Sequence, residues 1–414
     1  MCGMKNSVIT KLFSGFLVFA VFSGMIGLAA ADEDSAQNNL PARKIVVFKK
    51  GASEFDKSDA LRRAGGSLIK KLRQRDMAAV ALDEDSAAAL SKDARVLRIE
   101  DDAVVEALET VGGNNKQAKT NGNKPPSQPA EVLPWGINKI DAEQVWSLDG
   151  VGAGVNVGVI DTGISSSHPD LIANIKGGVS EVWYTSSWND DNGHGSHVAG
   201  IIGAVDNSIG VIGASHSANL YAIKVLDRRG SGYLSDVIDG VDWAIGNGMN
   251  VINLSLGCDC PSQFLHDAVA RARDAGIVVV AAAGNSGGSV LYPAAYPEAI
   301  AVVAVDSSDT APYWSSRGPE VDLAAPGKSI YSTYKGTGYA TLSGTSMAAP
   351  HVAGATALML GAPVDPAYDA DASGTWNPDE VQNKLQATAT DLGIGGIDDI
   401  YGYGLVNALA AFIQ

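Results

Sequence analysis

The sequence has little positive charge and few cysteines. Its 414 residues contain 30 lysines and arginines against 46 aspartates and glutamates, which gives a formal charge of −16 at pH 7. Phosphate binding requires clustered basic side chains, so this composition argues against nucleic acid as a partner. Only three cysteines are present. Loss of Cys2 with a cleaved N-terminal segment would leave two, a number that suits an exported protein.

The N-terminus carries a secretory pattern. Lys5 and Lys11 precede the apolar run "LFSGFLVFAVFSGMIGLAA", and three alanines that end at Ala31 lead into "DEDS". A basic start, an apolar run and a small-residue exit predict a signal peptide at residues 1–31 and a secreted, extracellular protein. An uncleaved membrane anchor is the alternative, because about 18 apolar residues can span a bilayer.

Residue patterns divide the remaining chain into three parts. Residues 43–108 alternate short strand and helix patterns, which predicts a small α+β domain. Residues 109–130 contain almost no large apolar side chains and predict an exposed, flexible linker. In residues 131–414, buried-strand patterns alternate with helical ones, which predicts a parallel sheet covered on both faces. The expected strands are "VNVGVI" (155–160), "LYAIKVL" (220–226), "NVINLSL" (250–256), "GIVVVAAA" (276–283) and "AIAVVAV" (299–305).

Four polar residues occupy the positions where such sheets carry function. Asp161 ends one apolar strand and Asn285 follows another, while His194 and Ser346 each open an apolar helix. Functional residues gather at the carboxyl ends of parallel strands, and helix N-termini stabilise anions. Acyl transfer needs a hydroxyl nucleophile, an imidazole base, a carboxylate and an oxyanion donor. A helical zinc site is not predicted, because the H-E-x-x-H pattern is absent.

Five segments together are far more specific than any one of these residues. "VIDTGISSSHPDL", "GHGSHVAG", "INLSLG", "AAAGN" and "GTSMAAPHVAG" resemble the signature segments of subtilisin-like serine proteases, in that family's order. The resemblance covers residues 131–414 and implies a doubly wound, mostly parallel α/β sheet with helices on both faces. Residues 43–108 look like the family's ferredoxin-like α+β propeptide domain.

The resemblance implies a catalytic mechanism and a route of synthesis and maturation. Asp161 would orient His194, the general base, and Ser346 would be the nucleophile. Asn285 and the Ser346 N–H would form the oxyanion hole. The chain would be a secreted endopeptidase of proteins and peptides, made as a self-processing zymogen that cuts itself after Leu108. It is expected to be monomeric, inhibited by its own propeptide, and free of stable membrane association once mature. A catalytically inactive relative that serves as a binding module is the alternative.

Substrate binding follows from the same resemblance. The segments "GSGY" and "LSLG" look like the family's two edges for an extended peptide, and Ser255 to Gly257 with Ala281 to Gly284 would line the primary pocket. Leu291 stands where the family commonly has glycine, so we expect broad specificity for medium-sized apolar residues before the scissile bond. The predicted substrate-binding residues are Gly230, Ser231, Gly232, Ser255, Leu256, Gly257, Ala282, Ala283, Gly284 and Leu291.

Calcium is the expected cofactor, at two places. The resemblance implies a site in which Glu131 replaces the family's glutamine, although a polar loop without metal would explain the same residues. Its ligands would be Glu131, Asp170, Val205, Asn207, Ile209 and Val211. A second candidate loop, "DADASGTWNPDE", is not part of the family pattern; it fits an EF-hand pattern with Gly374 in sixth place, except for serine in fifth place, or is simply solvated. Its ligands would be Asp369, Asp371, Ser373, Thr375 and Glu380.

The two remaining cysteines, Cys258 and Cys260, follow "SLG" at the rim of the expected pocket. A disulfide across one residue is geometrically tight but possible, and a pair of free thiols is equally compatible with the spacing. Zinc binding by this pair alone is not expected, because structural zinc needs four ligands.

Overall fold

The computed structural model describes residues 42–109 and 128–413. The predicted signal peptide, its alternative as an anchor, and most of the predicted linker therefore lie outside the described residues. Within the described ranges, no helix has both the length and the apolar composition that a membrane span requires.

Residues 42–107 form a small antiparallel sheet with two helices. Its strands pair in the order β2-β3-β1-β4, and Val46, Phe48, Leu61 and Val80 belong to a core of its own. The elements are β1 (Arg43–Phe48), α1 (Glu54–Arg63), β2 (Ser67–Lys71), β3 (Met77–Ala81), α2 (Glu84–Leu90), β4 (Val96–Asp101) and β5 (Val104–Ala107). This arrangement confirms the predicted α+β class of the segment.

Two local features of this segment go beyond the sequence pattern. Helix α1 begins at Glu54, because Ser53 caps it and exchanges hydrogen bonds with Asp56 in a capping box. Strand β2 was not expected, since most of its side chains face solvent and it carries no apolar alternation.

Residues 128–413 fold around a seven-stranded sheet. The elements are α3 (Trp135–Lys139), α4 (Ala142–Trp146), β6 (Asn156–Asp161), β7 (Ile175–Ser180), α5 (His194–Gly203), β8 (Asn219–Lys224), β9 (Ser231–Tyr233), α6 (Leu234–Gly246), β10 (Val251–Leu254), β11 (Leu256–Gly257), α7 (Gln263–Asp274), β12 (Val278–Ala282), β13 (Ile300–Val305), β14 (Leu323–Pro326), β15 (Ile330–Thr333), β16 (Tyr339–Leu342), α8 (Thr345–Leu360), α9 (Pro378–Ala387) and α10 (Ala408–Phe412).

The seven strands are all parallel, in the order β14-β13-β12-β10-β6-β8-β7. Separate apolar cores lie on the two faces of the sheet, so its central strands are buried on both sides and contain long Val, Ile and Ala runs. The predicted α/β fold is confirmed, and each of the five expected strands is present. Strands β7 and β14 were not expected: they lie at the two edges, β7 is glycine-rich, and β14 ends in proline.

Strand order sets the position of the functional residues. The carboxyl ends of β6, β10 and β12 meet near the middle of the sheet, where helices α5 and α8 begin. Helix α8 is buried along almost its whole length. Its first turn is therefore held rigidly against these strand ends.

Candidate active site

Asp161 and His194 form a buried pair. Asp161 is the last residue of β6 and His194 the first of α5, and the His194 Nδ1 lies 2.8 and 2.9 Å from the two carboxylate oxygens. The Asn192 side chain accepts a hydrogen bond from the His194 main-chain N–H at 3.0 Å. The carboxylate thus keeps the Nδ1 proton in place and leaves Nε2 available as the basic nitrogen.

The charge of Asp161 also sets the proton affinity of His194. Burial alone would lower the pKa of His194, but the charge and the hydrogen bond of Asp161 outweigh it, so the pKa is raised above its ordinary value. Glu109 adds a smaller contribution in the same direction. The His194 Nε2 has no hydrogen-bond partner among the described residues.

Ser346 lies in the first turn of α8, fully buried. Its Oγ donates to the Ser255 carbonyl oxygen at 2.9 Å, and the Ser255 Oγ donates to the Ser346 carbonyl oxygen at 2.8 Å. Each serine hydroxyl is therefore bonded to the main chain of the other. These two hydrogen bonds join the start of α8 to the segment between β10 and β11.

Asn285 presents its side-chain amide to a carbonyl of the N-terminal segment. Its Nδ2 donates to the Leu108 carbonyl oxygen at 2.6 Å, while its Oδ1 accepts from the Thr345 N–H at 2.9 Å and the Thr345 Oγ at 3.0 Å. Thr345 therefore orients the amide, a role that the sequence alone did not reveal. A Cβ on Gly344 would collide with the same Leu108 oxygen, so only glycine leaves room for it there.

Strand β5 lies between two strands of the C-terminal unit. It pairs antiparallel with β9 on one side and β11 on the other, and the sheet has the order β11-β5-β9. The Ala107 N–H donates to the Gly230 carbonyl at 2.9 Å, and the Leu108 N–H donates to the Ser255 carbonyl at 3.2 Å. The two segments expected to bind an extended peptide thus hold residues 104–108.

The Leu108 side chain fills the adjoining pocket and is 9% exposed. A Cβ on Gly257 would lie 3.3 Å from Leu108 Cδ1 and 3.4 Å from Leu291 Cβ, while one on Gly284 would lie 2.9 Å from Leu291 Cγ. Leu291 therefore occupies the space between the two glycine walls. Ala282 and Ala283 are buried where β12 ends, one in each of the two apolar cores.

Comparisons with known proteins agree with this geometry. The Subtilase family profile matches residues 152–404. The chain belongs to the subtilase family. It is a subtilisin-like serine endopeptidase, a hydrolase.

Relatives of this subtilase match it over most of its length. It is 41% identical over 416 aligned positions to subtilisin J of Geobacillus stearothermophilus and to subtilisin E of Bacillus subtilis strain 168. Each alignment covers 98% of the chain and 99% of the relative. It is 48% identical over 283 positions to subtilisin Savinase of Lederbergia lenta, covering 68% of the chain and 99% of that relative.

The N-terminal segment of the subtilase is anchored through charge. Lys70 Nζ lies 2.8 Å from Asp236 and 2.9 Å from Asp239, both on α6. Carboxylates of the segment meet the starts of two helices: Asp102 accepts from the Ser235 N–H at 2.8 Å, and Glu100 accepts from the Ser262 Oγ at 2.8 Å. Negative groups at helix N-termini are favourable, so these contacts hold the small sheet against α6 and α7.

The expected calcium ligands of the first site lie together. Asn207 Nδ2 donates to Asp170 at 2.8 Å, and the Asn207 N–H donates to Glu131 at 2.7 Å. Burial raises the pKa of Asp170 to about 6. Among the described residues, no hydrogen-bond donor reaches the carbonyl oxygens of Val205, Ile209 or Val211. Free carbonyls beside a buried carboxylate are a donor set that fits a hard cation.

The second loop also brings its carboxylates together. Ligand oxygens of Asp369, Asp371 and Glu380 lie within 4.8 Å of one another. The Ser373 N–H donates to both aspartates at 2.9 Å, and the Ser373 Oγ donates to the Thr375 carbonyl at 2.9 Å. The loop is thus closed by its own side chains, directly before α9.

The structure joins Cys258 and Cys260 in a disulfide, with the two Cα atoms 5.2 Å apart. The Cys258 N–H and carbonyl both bond to Tyr292 at 3.0 Å. The bridge therefore lies between strand β11 and the start of α7, beside the residue that follows Leu291.

Two further histidines take no part in the site. Burial lowers the pKa of His197 to about 3 and that of His351 to about 4. His197 donates to the Ile330 carbonyl at 3.0 Å, and His351 donates to the Met347 carbonyl at 2.7 Å. Both rings are neutral and pack within the core.

Proposed function

We propose that this subtilase is exported and made as a self-processing zymogen. Residues 1–31 act as the signal peptide, 43–108 as a chaperone and inhibitory propeptide, 109–130 as a linker, and 131–414 as the catalytic domain. The observation that carries the proposal is the Leu108 carbonyl oxygen, 2.6 Å from the Asn285 amide, at the end of a strand held in the cleft. The Leu108–Glu109 bond thus lies where a scissile bond is expected.

The first half of the reaction forms an acyl-enzyme. The Ser346 Oγ leaves the Ser255 carbonyl and attacks the Leu108 carbonyl carbon, while its proton passes to His194 Nε2. Asn285 and the Ser346 N–H donate to the oxyanion. The intermediate then collapses as His194 gives the proton to the Glu109 nitrogen, which breaks the peptide bond and frees the new N-terminus.

The second half restores the serine. A water molecule, with His194 Nε2 as its base, attacks the ester carbonyl, and His194 returns the proton to Ser346 Oγ as the acid leaves. The Asp161 carboxylate orients the His194 ring and stabilises the imidazolium in both halves. Its two-oxygen contact with Nδ1 supports this role.

Strands β9 and β11 bind protein substrates through their main chains, as they hold residues 104–107. Main-chain recognition demands little of most side chains, so broad specificity is expected. The pocket that holds Leu108 supplies the exception, because Leu291 limits its depth. Medium-sized apolar residues are preferred there.

We also propose that calcium occupies two sites. At the first, Glu131 and Asp170, Asn207 through its side-chain oxygen, and the carbonyls of Val205, Ile209 and Val211 hold the ion. The cation supplies the positive charge that the buried Asp170 lacks. It ties the first residues of the catalytic domain to the 205–211 loop.

The second calcium site uses the loop before α9. Asp369, Asp371, Ser373 and Glu380 contribute side-chain oxygens, and Thr375 contributes its carbonyl. The clustered carboxylate oxygens and the EF-hand spacing support this proposal.

Full-length precursors with and without Ser346→Ala test the function. The wild type is expected to cut itself after Leu108 and then digest casein, while the variant stays whole. Loss of this nucleophile lowers turnover by on the order of 10⁶. N-terminal sequencing locates the cut. Equal cutting of both precursors would assign maturation to another protease, and a mature wild type that leaves casein intact would favour a binding module.

Chelation tests calcium on the mature wild type, Asp170→Asn and Asp371→Asn. Ligand at 100 times its dissociation constant stabilises a fold by about 2.7 kcal/mol. Added calcium should therefore raise the wild-type Tm after chelation, and each variant should lose part of that rise. A variant with the full rise removes its site from the proposal.

A further inference from the structure

Asn253 is a polar side chain in the middle of an apolar sheet. It lies in β10 with Val159 and Val280 as its neighbours on the flanking strands, and its side chain is fully buried. Its Oδ1 has no hydrogen-bond partner among the described residues. A buried acceptor without a partner costs stability, so an apolar residue would suit the sheet better. Stabilisation of the fold therefore does not explain why this residue is an asparagine, and another role is needed.

The other end of the amide points to that role. Asn253 Nδ2 donates to the Ser255 Oγ at 2.9 Å, and this hydroxyl in turn donates to the Ser346 carbonyl at 2.8 Å. The chain of bonds runs from the sheet interior to the main chain of Ser346. Since the Ser255 hydroxyl is held as both acceptor and donor, its rotamer is fixed.

The Ser255 carbonyl oxygen accepts two hydrogen bonds in the site. It accepts from the Ser346 Oγ at 2.9 Å and from the Leu108 N–H at 3.2 Å. One peptide unit thus contacts the hydroxyl of Ser346 and the residue on the acyl side of the scissile bond. The orientation of Ser255 fixes how these two groups face each other.

We propose that Asn253 is a positioning residue: by orienting Ser255, it aligns Ser346 with the carbonyl carbon of the bound residue. Asn253 contacts neither substrate nor nucleophile and acts only through the Ser255 hydroxyl. The inference rests on the proposed role of Ser346. Its consequence is that Asn253 contributes to turnover and not to the stability of the sheet.

The test compares Asn253→Leu, Ser255→Ala and the double variant. Leu has the same number and branching of side-chain heavy atoms as Asn and removes the bond to Ser255. Val251→Ala is the control, because Val251 lies on the same face of the same strand but bonds to neither serine. Each precursor is matured, its active sites are counted with a serine-directed phosphonate, and kcat and KM are measured on a peptide anilide with Leu before the scissile bond.

Asn253→Leu should lower kcat about three- to tenfold, with KM within about twofold and Tm unchanged or raised. The double variant should be no slower than the slower single variant, because both substitutions break one chain of bonds. Val251→Ala should lower Tm and keep kcat. Additive losses, a change confined to KM, or a lower Tm with normal kcat would each overturn the inference.

Two further measurements keep the outcomes separate. If Asn253→Leu does not accumulate, Asn253→Ala replaces it in the same cycle, with the same expected non-additivity. If the wild type does not hydrolyse the anilide, or Ser346→Ala hydrolyses it equally, the proposed function fails. An active wild type with independent effects at Asn253 and Ser255 refutes only the positioning role.

Discussion

Replacement of Leu291 by glycine should change which residue the enzyme accepts before the scissile bond. The Leu291 side chain lies between the Gly257 and Gly284 walls, and a Cβ on Gly257 would lie 3.4 Å from Leu291 Cβ and 3.3 Å from Leu108 Cδ1. Phenylalanine has three more carbons than leucine and would have to displace it. Overpacking of this kind costs about 1–3 kcal/mol, and each newly buried methylene gains about 0.8 kcal/mol once room exists.

The kcat/KM ratio for Phe over Leu substrates should therefore rise at least about tenfold in Leu291→Gly. The assay uses peptide anilides that differ only in the residue before the scissile bond: Ala, Leu, Met, Phe or Tyr. Leu291→Ala serves as the intermediate step and should give an intermediate ratio. A wild-type profile already dominated by Phe and Tyr, or a ratio unchanged in the glycine variant, would refute the argument.

Three other predictions concern the precursor. Asn285→Leu should slow self-cleavage by about 10²–10³, because the oxyanion loses a donor, and a rate within threefold of wild type would exclude that role. Glu109→Gln should shift the acid limb of the pH–rate profile of self-cleavage to lower pH, because removal of the negative charge lowers the pKa of His194, which must be neutral to act as the base. Self-cleavage rates measured from pH 5 to 9 test this prediction, and an acid limb at the wild-type pH would contradict it. Lys70→Met should shorten the lag between self-cleavage and casein hydrolysis. The buried carboxylates of Asp236 and Asp239 would lose the cation that holds the N-terminal segment against α6, so the cleaved segment should leave sooner. Lys71→Met changes a neighbouring, exposed lysine and should leave the lag unchanged. Equal lags for the Lys70 and Lys71 variants would show that the Lys70 ion pairs do not delay casein hydrolysis.

The fold could be predicted where burial dictates composition. The central strands carry continuous Val, Ile and Ala runs because both faces of the sheet are covered, and these runs mark β10 and β12 plainly. Edge strands carry no such constraint. Strand β7 lies at the sheet edge, none of its residues is fully buried, and it contains two glycines, so its sequence resembles a loop.

The candidate site likewise has residues that the sequence predicts and contacts that depend on the fold. Asp161, His194, Asn285 and Ser346 could be located from sequence, because each stands at a strand or helix end inside a recognisable segment. The contact between Leu108 and the Asn285 amide was implied only by the family resemblance, because it joins residues 177 apart and depends on docking of a separate small sheet.

Side-chain pairings within the site were equally hidden. The spacing of Cys258 and Cys260 permits both a disulfide and free thiols, and the fold shows that the two Cα atoms, 5.2 Å apart, are within bridging distance. Asn253 did leave a signal, as an amide inside the apolar run "VINLSL", but its connection to Ser346 through Ser255 depends on the fold. Sequence gives the residue type, and the fold alone gives the bond.

The position of β5 as the middle strand of three has a consequence for the proteins this enzyme can digest. Because substrates are proposed to bind in the place of β5, a chain would have to free about five consecutive residues from their own hydrogen-bond partners on both sides at once before it enters the cleft. A folded protein meets that condition only when it opens locally, so the rate of digestion is set by the frequency of such openings in the target. Resistance to this enzyme would therefore report the local stability of its targets more than the identity of their side chains.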